Sequence, residues 1–299
     1  MNYGIGIDLG GTQIKSARIE LPTGRLLATA MAATNDGRSS VSEPEFATAI
    51  RDLVQMHEAE EGSPAAVVGI SAPGLADRSG SCIRYMPGKL SGLENLVWTD
   101  FLQRPACCLN DAHAALMGEI WQGAAKAKQN VVMLTLGTGV GGAVVCNGRL
   151  LLGQTGRAGH LGHLSVDMEG PADCTGIPGS LEFAIGNGSL AQRTRGKFTM
   201  TRDLISAMDA GDASACDIWN RSIKALAVTV AGLINTFDPE LVLVGGGIAN
   251  AWPHIEPGLV HWLTRFEWRP GGHRVPVLHA SLGEWAGCYG AVTFACANN

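Results

Sequence analysis

The chain has 299 residues, 46% of them hydrophobic and 16% charged, which suits a folded protein of one large or two ordinary domains and excludes a disordered one. A formal charge of -5 with no Lys or Arg block argues against a nucleic-acid or membrane-surface footprint. No apolar run reaches the roughly 20 residues of a membrane span. The chain opens on an apolar strand without a basic leader, and its eight cysteines lack C-x-x-C, so a cytoplasmic protein with buried thiols is expected.

In chain order, "YGIGIDLGG" reads as a strand running into a glycine turn, "TQIKSARIEL" as a returning strand and "PTGRLLATA" as a third. "EPEFATAIRDLVQMHEAEEG" has apolar residues at helical spacing and stops at Gly62. "AAVVGISAPG" is a buried strand closing on Pro73 and Gly74. A loop-rich stretch from Leu75 to Gln103 leads to the apolar run "ACCL" and the helical pattern "NDAHAALMGEIWQGA". Next, "LTLGTGVGGAVVCNGRLL" repeats the N-terminal plan of strand, glycine loop, strand and turn. The repetition predicts a duplicated α/β unit with a cleft between two similar domains.

The run Gly137 to Gly142 satisfies G-x-G-x-x-G, the dinucleotide fingerprint. That fingerprint works only where the glycines open a helix whose N-terminus meets the pyrophosphate. Here "AVVCNGRLL" follows, a β-branched run closed by Asn-Gly, so the glycines join two antiparallel strands. A glycine hairpin can still gather backbone N–H groups around a phosphate, because no Cβ blocks the approach. In "DLGGTQIK", Asp8 is placed to help hold magnesium, directly or through water, and Thr12 to donate to a phosphate oxygen. Alone, this stretch reads equally as a tight turn; paired with the second loop, it points to a nucleotide.

"GIDLGGTQIK", "LNDAHAALMGE", "LTLGTGVGGAVV", "GHLGHLSVD", "GSLE" and "LVLVGGG" occur together, in order and across the whole chain, and in this the sequence resembles the ROK family of repressors and sugar kinases. The resemblance implies two ribonuclease-H-like domains of the actin-like ATPase type around a central cleft. It divides the chain into a small domain, 1–109, rejoined by a last helix at about 287–299, and a large domain, 110–286. It implies transfer of the ATP γ-phosphoryl group to a hexose or hexose derivative, commonly at the 6-hydroxyl, with magnesium, in a homodimer.

On the matching positions, Asp111 is the implied base, and Asn110, Glu182 and His163 are sugar ligands. Gly74, in the Pro-Gly turn, walls the sugar pocket. ATP falls to Asp8, Gly10, Gly11 and Thr12 in one loop, Gly137, Thr138 and Gly139 in the other, and Gly245 and Gly246 near the adenosine; Asp8 also serves magnesium. Ordinary readings stand beside these: "ND" before an apolar helix is a cap, and Gly245-Gly246 a helix-entry turn.

The chain departs from the family pattern in the sugar and zinc motifs. His160 stands where a sugar-binding Glu is usual, and an imidazole offers one donor and one acceptor where a carboxylate only accepts. Gly88 stands near the place of a sugar-binding Asn. Many kinases of the family carry C-x-C-G-x-x-G-C-x-E, whose thiolates and a His bind structural zinc. Here Asp173, Thr175 and Ser180 fill the three Cys positions and Cys174 is out of register, so no zinc is expected. These changes keep open a catalytically silent sugar-binding or sugar-sensing protein. A transcriptional regulator of this family would carry a helix-turn-helix ahead of the first glycine loop, which here begins within the first dozen residues.

Overall fold

The computed structural model describes residues 2–37, 39, 40 and 43–298; Met1, at the start of the expected first strand, and Asn299, at the end of the expected last helix, lie outside them. The chain divides into two compact units, Met1–Ala127 with Leu152–Ala158 and Ser281–Asn299, and Lys128–Leu151 with Gly159–Ala280.

The first unit starts as an antiparallel meander of β1 (Tyr3–Leu9), β2 (Gln13–Glu20) and β3 (Leu26–Ala33). A two-stranded ribbon, β4 (Ser39–Ser40) and β5 (Glu43–Pro44), leads into α1 (Glu45–Glu61), which therefore begins two residues later than its sequence pattern suggests. Phe46, Ile50, Leu53, Val54 and His57 recur at helical spacing on its buried side, and Gly62 ends it in the left-handed conformation. β6 (Val67–Ala72) pairs in parallel with β1; a small ribbon of β7 (Leu75–Ala76) and β8 (Ile83–Tyr85) and the short α2 (Trp98–Leu102) follow. β9 (Ala106–Asn110), parallel to β6, completes a sheet ordered β3-β2-β1-β6-β9 and runs straight into α3 (Asp111–Gln122).

The second unit repeats this topology. β10 (Val131–Leu136), β11 (Val140–Cys146) and β12 (Arg149–Leu150) form its antiparallel meander. Four helices follow: α4 (Leu181–Ile185), α5 (Asn187–Arg193), α6 (Thr201–Asp209) and the long α7 (Ala213–Phe237), whose start is capped by the Asp212 carboxylate. β13 (Leu241–Gly245) joins in parallel with β10, α8 (Trp252–Phe266) crosses over, and β14 (Val277–His279) ends a sheet ordered β12-β11-β10-β13-β14. Two sheets with the same order and the same switch from antiparallel to parallel pairing realise the duplication read from the glycine loops. The glycines of the second loop lead into β11, a strand, as the hairpin reading requires.

The final helix, α9 (Ala286–Asn298), packs on β1, β6 and α3 of the first unit. Glycines let its backbone lie directly on theirs: a Cβ on Gly6 would sit 2.1 Å from the Cys288 carbonyl oxygen, one on Gly69 2.0 Å from that of Ala291, and one on Gly290 1.7 Å from that of Ala114. This contact also moves the expected domain boundary. Residues 110–127 belong to the first unit instead of opening the second, because α3 is packed against α9 and continues β9 without a break. Glu119, fully buried on α3, accepts from the backbone N–H groups of Ser281 (2.8 Å), Leu282 (2.7 Å) and Ala124 (2.7 Å), so it fixes the segment that enters α9.

All eight cysteines are free, but not all are buried as expected; Cys174, Cys216 and Cys296 are exposed. No helix among the described residues is long and apolar enough to cross a membrane.

Candidate active site

In the first unit, the parallel strands β1, β6 and β9 bring their C-terminal ends side by side, the usual place for a site in such a sheet. Asp8 lies opposite Ser71 in the ladder, and the Ser71 hydroxyl donates to Asp8 Oδ1 at 2.7 Å. Burial pushes the Asp8 carboxyl above its ordinary value, against the Ser71 hydrogen bond and the charge of Lys15. The loop beyond Asp8 turns tightly, with Gly10 N–H donating to the Gln13 carbonyl at 3.0 Å. Thr34 braces it: its hydroxyl donates to the Gly10 carbonyl at 2.7 Å and its N–H to the Thr12 carbonyl at 3.0 Å. Gly11 and Thr12 are exposed at the tip.

Two strands from β1 along the same edge lie Asn110 and Asp111, the pair that the motif offers as helix cap or as base. Asn110 is the helix cap: buried, it accepts from Ala112 N–H at 3.0 Å and His113 N–H at 3.3 Å. Its amide donates to the Gly74 carbonyl at 2.9 Å, which ties the Pro-Gly turn to the start of α3. Asp111, the first helical residue, reaches the surface, with one carboxyl oxygen accepting from Ala112 N–H at 2.8 Å. Its carboxyl is pushed up to about 6, first by burial among the groups around it and then by the negative charge of Asp8. A carboxylate that reaches solvent and titrates near neutrality has the properties of a general base.

In the second unit, Gly137, Thr138 and Gly139 form the turn between β10 and β11. Gly137 N–H donates to the Gly139 carbonyl at 2.9 Å, and the start of α5 donates into the turn from Asn187 to Gly137 (2.9 Å) and from Gly188 to Thr138 (2.8 Å). Among the described residues, nothing accepts from the Thr138 and Gly139 N–H groups. Glu182, on α4, comes close beneath: its Oε2 accepts from Val140 N–H at 2.9 Å, and a Cβ on Gly139 would lie 2.5 Å from that oxygen. Glu182 therefore supports the glycine loop besides being a candidate sugar ligand. At the end of β13, Gly246 has φ +85°, and a Cβ there would lie 2.4 Å from the Leu136 carbonyl oxygen, so Gly245-Gly246 forms a turn that presses on the strand leading into the same loop.

His160 precedes a single 3₁₀ turn, Leu161–His163, of which His163 is the last residue, and both are partly exposed. His163 Nδ1 lies 3.1 Å from Asp173 Oδ2. Asp173 Oδ1 accepts from the Thr175 hydroxyl (2.7 Å), Thr175 N–H (2.8 Å) and Ile177 N–H (3.1 Å). His163, Asp173 and Glu182 offer ligand atoms within 4.8 Å of one another. A structural zinc does not fit the positions of the family motif, which here supply one carboxylate, two hydroxyls and one imidazole in place of three thiolates and an imidazole.

The family model of the ROK family matches residues 4–298. The chain belongs to the ROK family. A glucokinase of Thermotoga maritima is 34% identical over 269 residues, covering 83% of this chain and 82% of that protein. An N-acetylmannosamine kinase of Yersinia pseudotuberculosis is 28% identical over 304 residues and covers both proteins completely. Among solved structures, a ROK family glucokinase from Streptomyces griseus in complex with glucose and AMPPNP has a TM-score of 0.79 at 27% identity, over 99% of this chain and 100% of that one. The actin-like ATPase fold expected of a ROK protein is the fold observed.

The sequence reading missed Ser71, Thr34 and Glu119. Ser71 lies in a run that was read only as buried strand, and its meeting with Asp8 depends on the β1–β6 register, which no local pattern displays. Thr34 and Glu119 act across 24 and 162 residues of sequence, respectively, so neither has a local signal.

Proposed function

We propose that this protein is an ATP-dependent sugar kinase that transfers the γ-phosphoryl group to a hydroxyl of a hexose or hexose derivative, at the 6-position. The observation that carries this reading is Asp111 at the first turn of α3, beside the Asn110 cap and on the edge that also carries Asp8, its carboxyl pushed up to about 6 by burial and by the Asp8 charge.

The sugar hydroxyl loses its proton to Asp111 as its oxygen bonds to the γ-phosphorus. The bond from that phosphorus to the β,γ-bridging oxygen breaks, and ADP leaves with the electron pair. Little covalent work is left to the protein, so positioning and charge stabilisation supply the catalysis. Magnesium, when bound, screens the phosphate charge. Asp8, whose Oδ1 is fixed by the Ser71 hydroxyl, would hold it directly or through water. The amides of Thr138 and Gly139, the Gly10–Thr12 turn and the Gly245-Gly246 turn serve the nucleotide. Glu182, His163, His160, Asn110 and the Gly74 turn serve the sugar. The kinship with both a glucokinase and an N-acetylmannosamine kinase supports a hexose or N-acetylhexosamine acceptor.

The test is ADP release with Mg-ATP across hexoses, N-acetylhexosamines and rarer sugars, with Asp111→Asn as control. A sugar-dependent rate that the variant loses is the expected result. ATP binding without turnover of any sugar would instead favour the silent sensor.

A further inference from the structure

The three positions where zinc-binding relatives would place thiols do not stand apart in this protein. Asp173 is the hub of their segment, with its side chain only 1% exposed. Thr175 gives it a hydroxyl and an amide hydrogen bond, Ile177 gives a second amide, and His163 approaches the other oxygen. Backbone bonds close the segment around this hub: Asp173 N–H to Ile177 (2.9 Å), Gly176 N–H to Asp173 (3.0 Å) and Val166 N–H to Gly179 (2.8 Å). Burial opposes ionisation of Asp173, but hydrogen bonds from Thr175, Ser180, His163 and Ile177 outweigh it and hold the carboxyl well below the usual carboxylate range. An ionised carboxylate can only accept, so the facing Nδ1 of His163 must carry the hydrogen.

We propose that Asp173 is a positioning residue whose hydrogen-bonded cluster stands in for a structural zinc, and that it fixes the His163 ring through Nδ1–H so that Nε2 faces the substrate as an acceptor. The proposal rests on the kinase reading for the identity of that substrate. Nε2 has no partner among the described residues, and the ring is 31% exposed on the side chain, so it is available to a ligand. An acceptor there reads a sugar hydroxyl or an acylamino N–H, both of which donate, and gains nothing from a fluorine or an ether oxygen at the same carbon. Orientation of a ligating imidazole through its other nitrogen is a common device, here built from a carboxylate alone. The trio His163, Asp173 and Glu182 needs no cation, because Asp173 is saturated and Glu182 accepts from Val140 N–H and from the Cys174 thiol at 3.2 Å.

Two measurements test this without turnover. Metal analysis of protein purified without chelator should find far less than one equivalent of zinc, and chelator dialysis should leave the melting temperature unchanged; a full equivalent whose removal unfolds the protein overturns the proposal. Long-range ¹H–¹⁵N spectra, with His163→Gln to assign the ring, should show Nδ1 protonated and Nε2 bare at neutral pH; the reverse tautomer overturns it. In kinetics, Asp173→Asn should raise the sugar KM about tenfold while the ATP KM stays within about twofold, and deoxyfluoro analogues at the carbon read by His163 should lose the same factor in the wild type only. Both KM values unchanged in folded Asp173→Asn and Asp173→Ala would also overturn it. If the wild type turns over no sugar, the kinase reading fails, and the spectra still decide the tautomer.

Discussion

Lowering the pH from 7 to 5 should weaken the enzyme through Asp111. A base works only when ionised, so a carboxyl that titrates near 6 leaves activity intact above that value and removes it below. Its ionised fraction falls from about nine-tenths at pH 7 to about one-tenth at pH 5, so kcat/KM for the sugar should drop about tenfold across that interval. An ordinary aspartate would change little there, because its transition lies near pH 4. The cause can be separated from the effect. Burial is the larger contributor and Asp8 the second, while Ala112 N–H and Asn110 pull the other way. Carbon-13 titration of the Asp111 carboxyl should therefore show a high midpoint in the wild type and a lower one in Asp8→Asn. Asp111→Asn should lose about 100- to 10,000-fold in kcat and show no acidic limb of its own. A kcat/KM that is flat from pH 5 to 7, or an Asp111 midpoint near 4, would refute the reasoning.

Ser71→Ala removes the one hydroxyl on Asp8 Oδ1, so the KM for Mg-ATP should rise about three- to tenfold while the sugar KM holds; steady-state kinetics in both substrates checks the split. Glu119→Ala strands the Ser281, Leu282 and Ala124 amides and should cost about 3 kcal/mol in urea unfolding, with Glu119→Gln costing less. Gly69→Ala drives a methyl into the Ala291 carbonyl and should destabilise by about 1–3 kcal/mol in the same assay, since only backbone can yield. His160→Glu should reorder the preference among sugars in the ADP-release panel, and an unchanged order would show that His160 does not read the substrate.

Much of the fold was legible in the sequence because its signals are local. Alternation marks β2 and short apolar runs mark β1 and β10, the Asn-Gly turn distinguishes a hairpin from a dinucleotide loop, and two copies of one motif order announce two similar units. The motif "ND" offers a helix cap and a base as alternatives; the fold gives the cap to Asn110 and leaves Asp111 as the first helical residue. The domain boundary was misplaced because the contact of α3 with α9 joins residues far apart in sequence, and nothing within either helix reveals its partner. The loss of the zinc thiols was likewise readable at Asp173, Thr175 and Ser180, whereas their joint hold on His163 was not.

The sequence by itself determined which residues carry charge, which hydrogen-bonding capacity each candidate has, and where strands and helices alternate, because these depend on side-chain chemistry and short-range periodicity. Tertiary structure decided that Ser71 meets Asp8, that Glu182 braces the second glycine loop and that Asp173 orients His163. Each of these depends on strand register or loop closure, which brings together groups that one-dimensional order keeps apart.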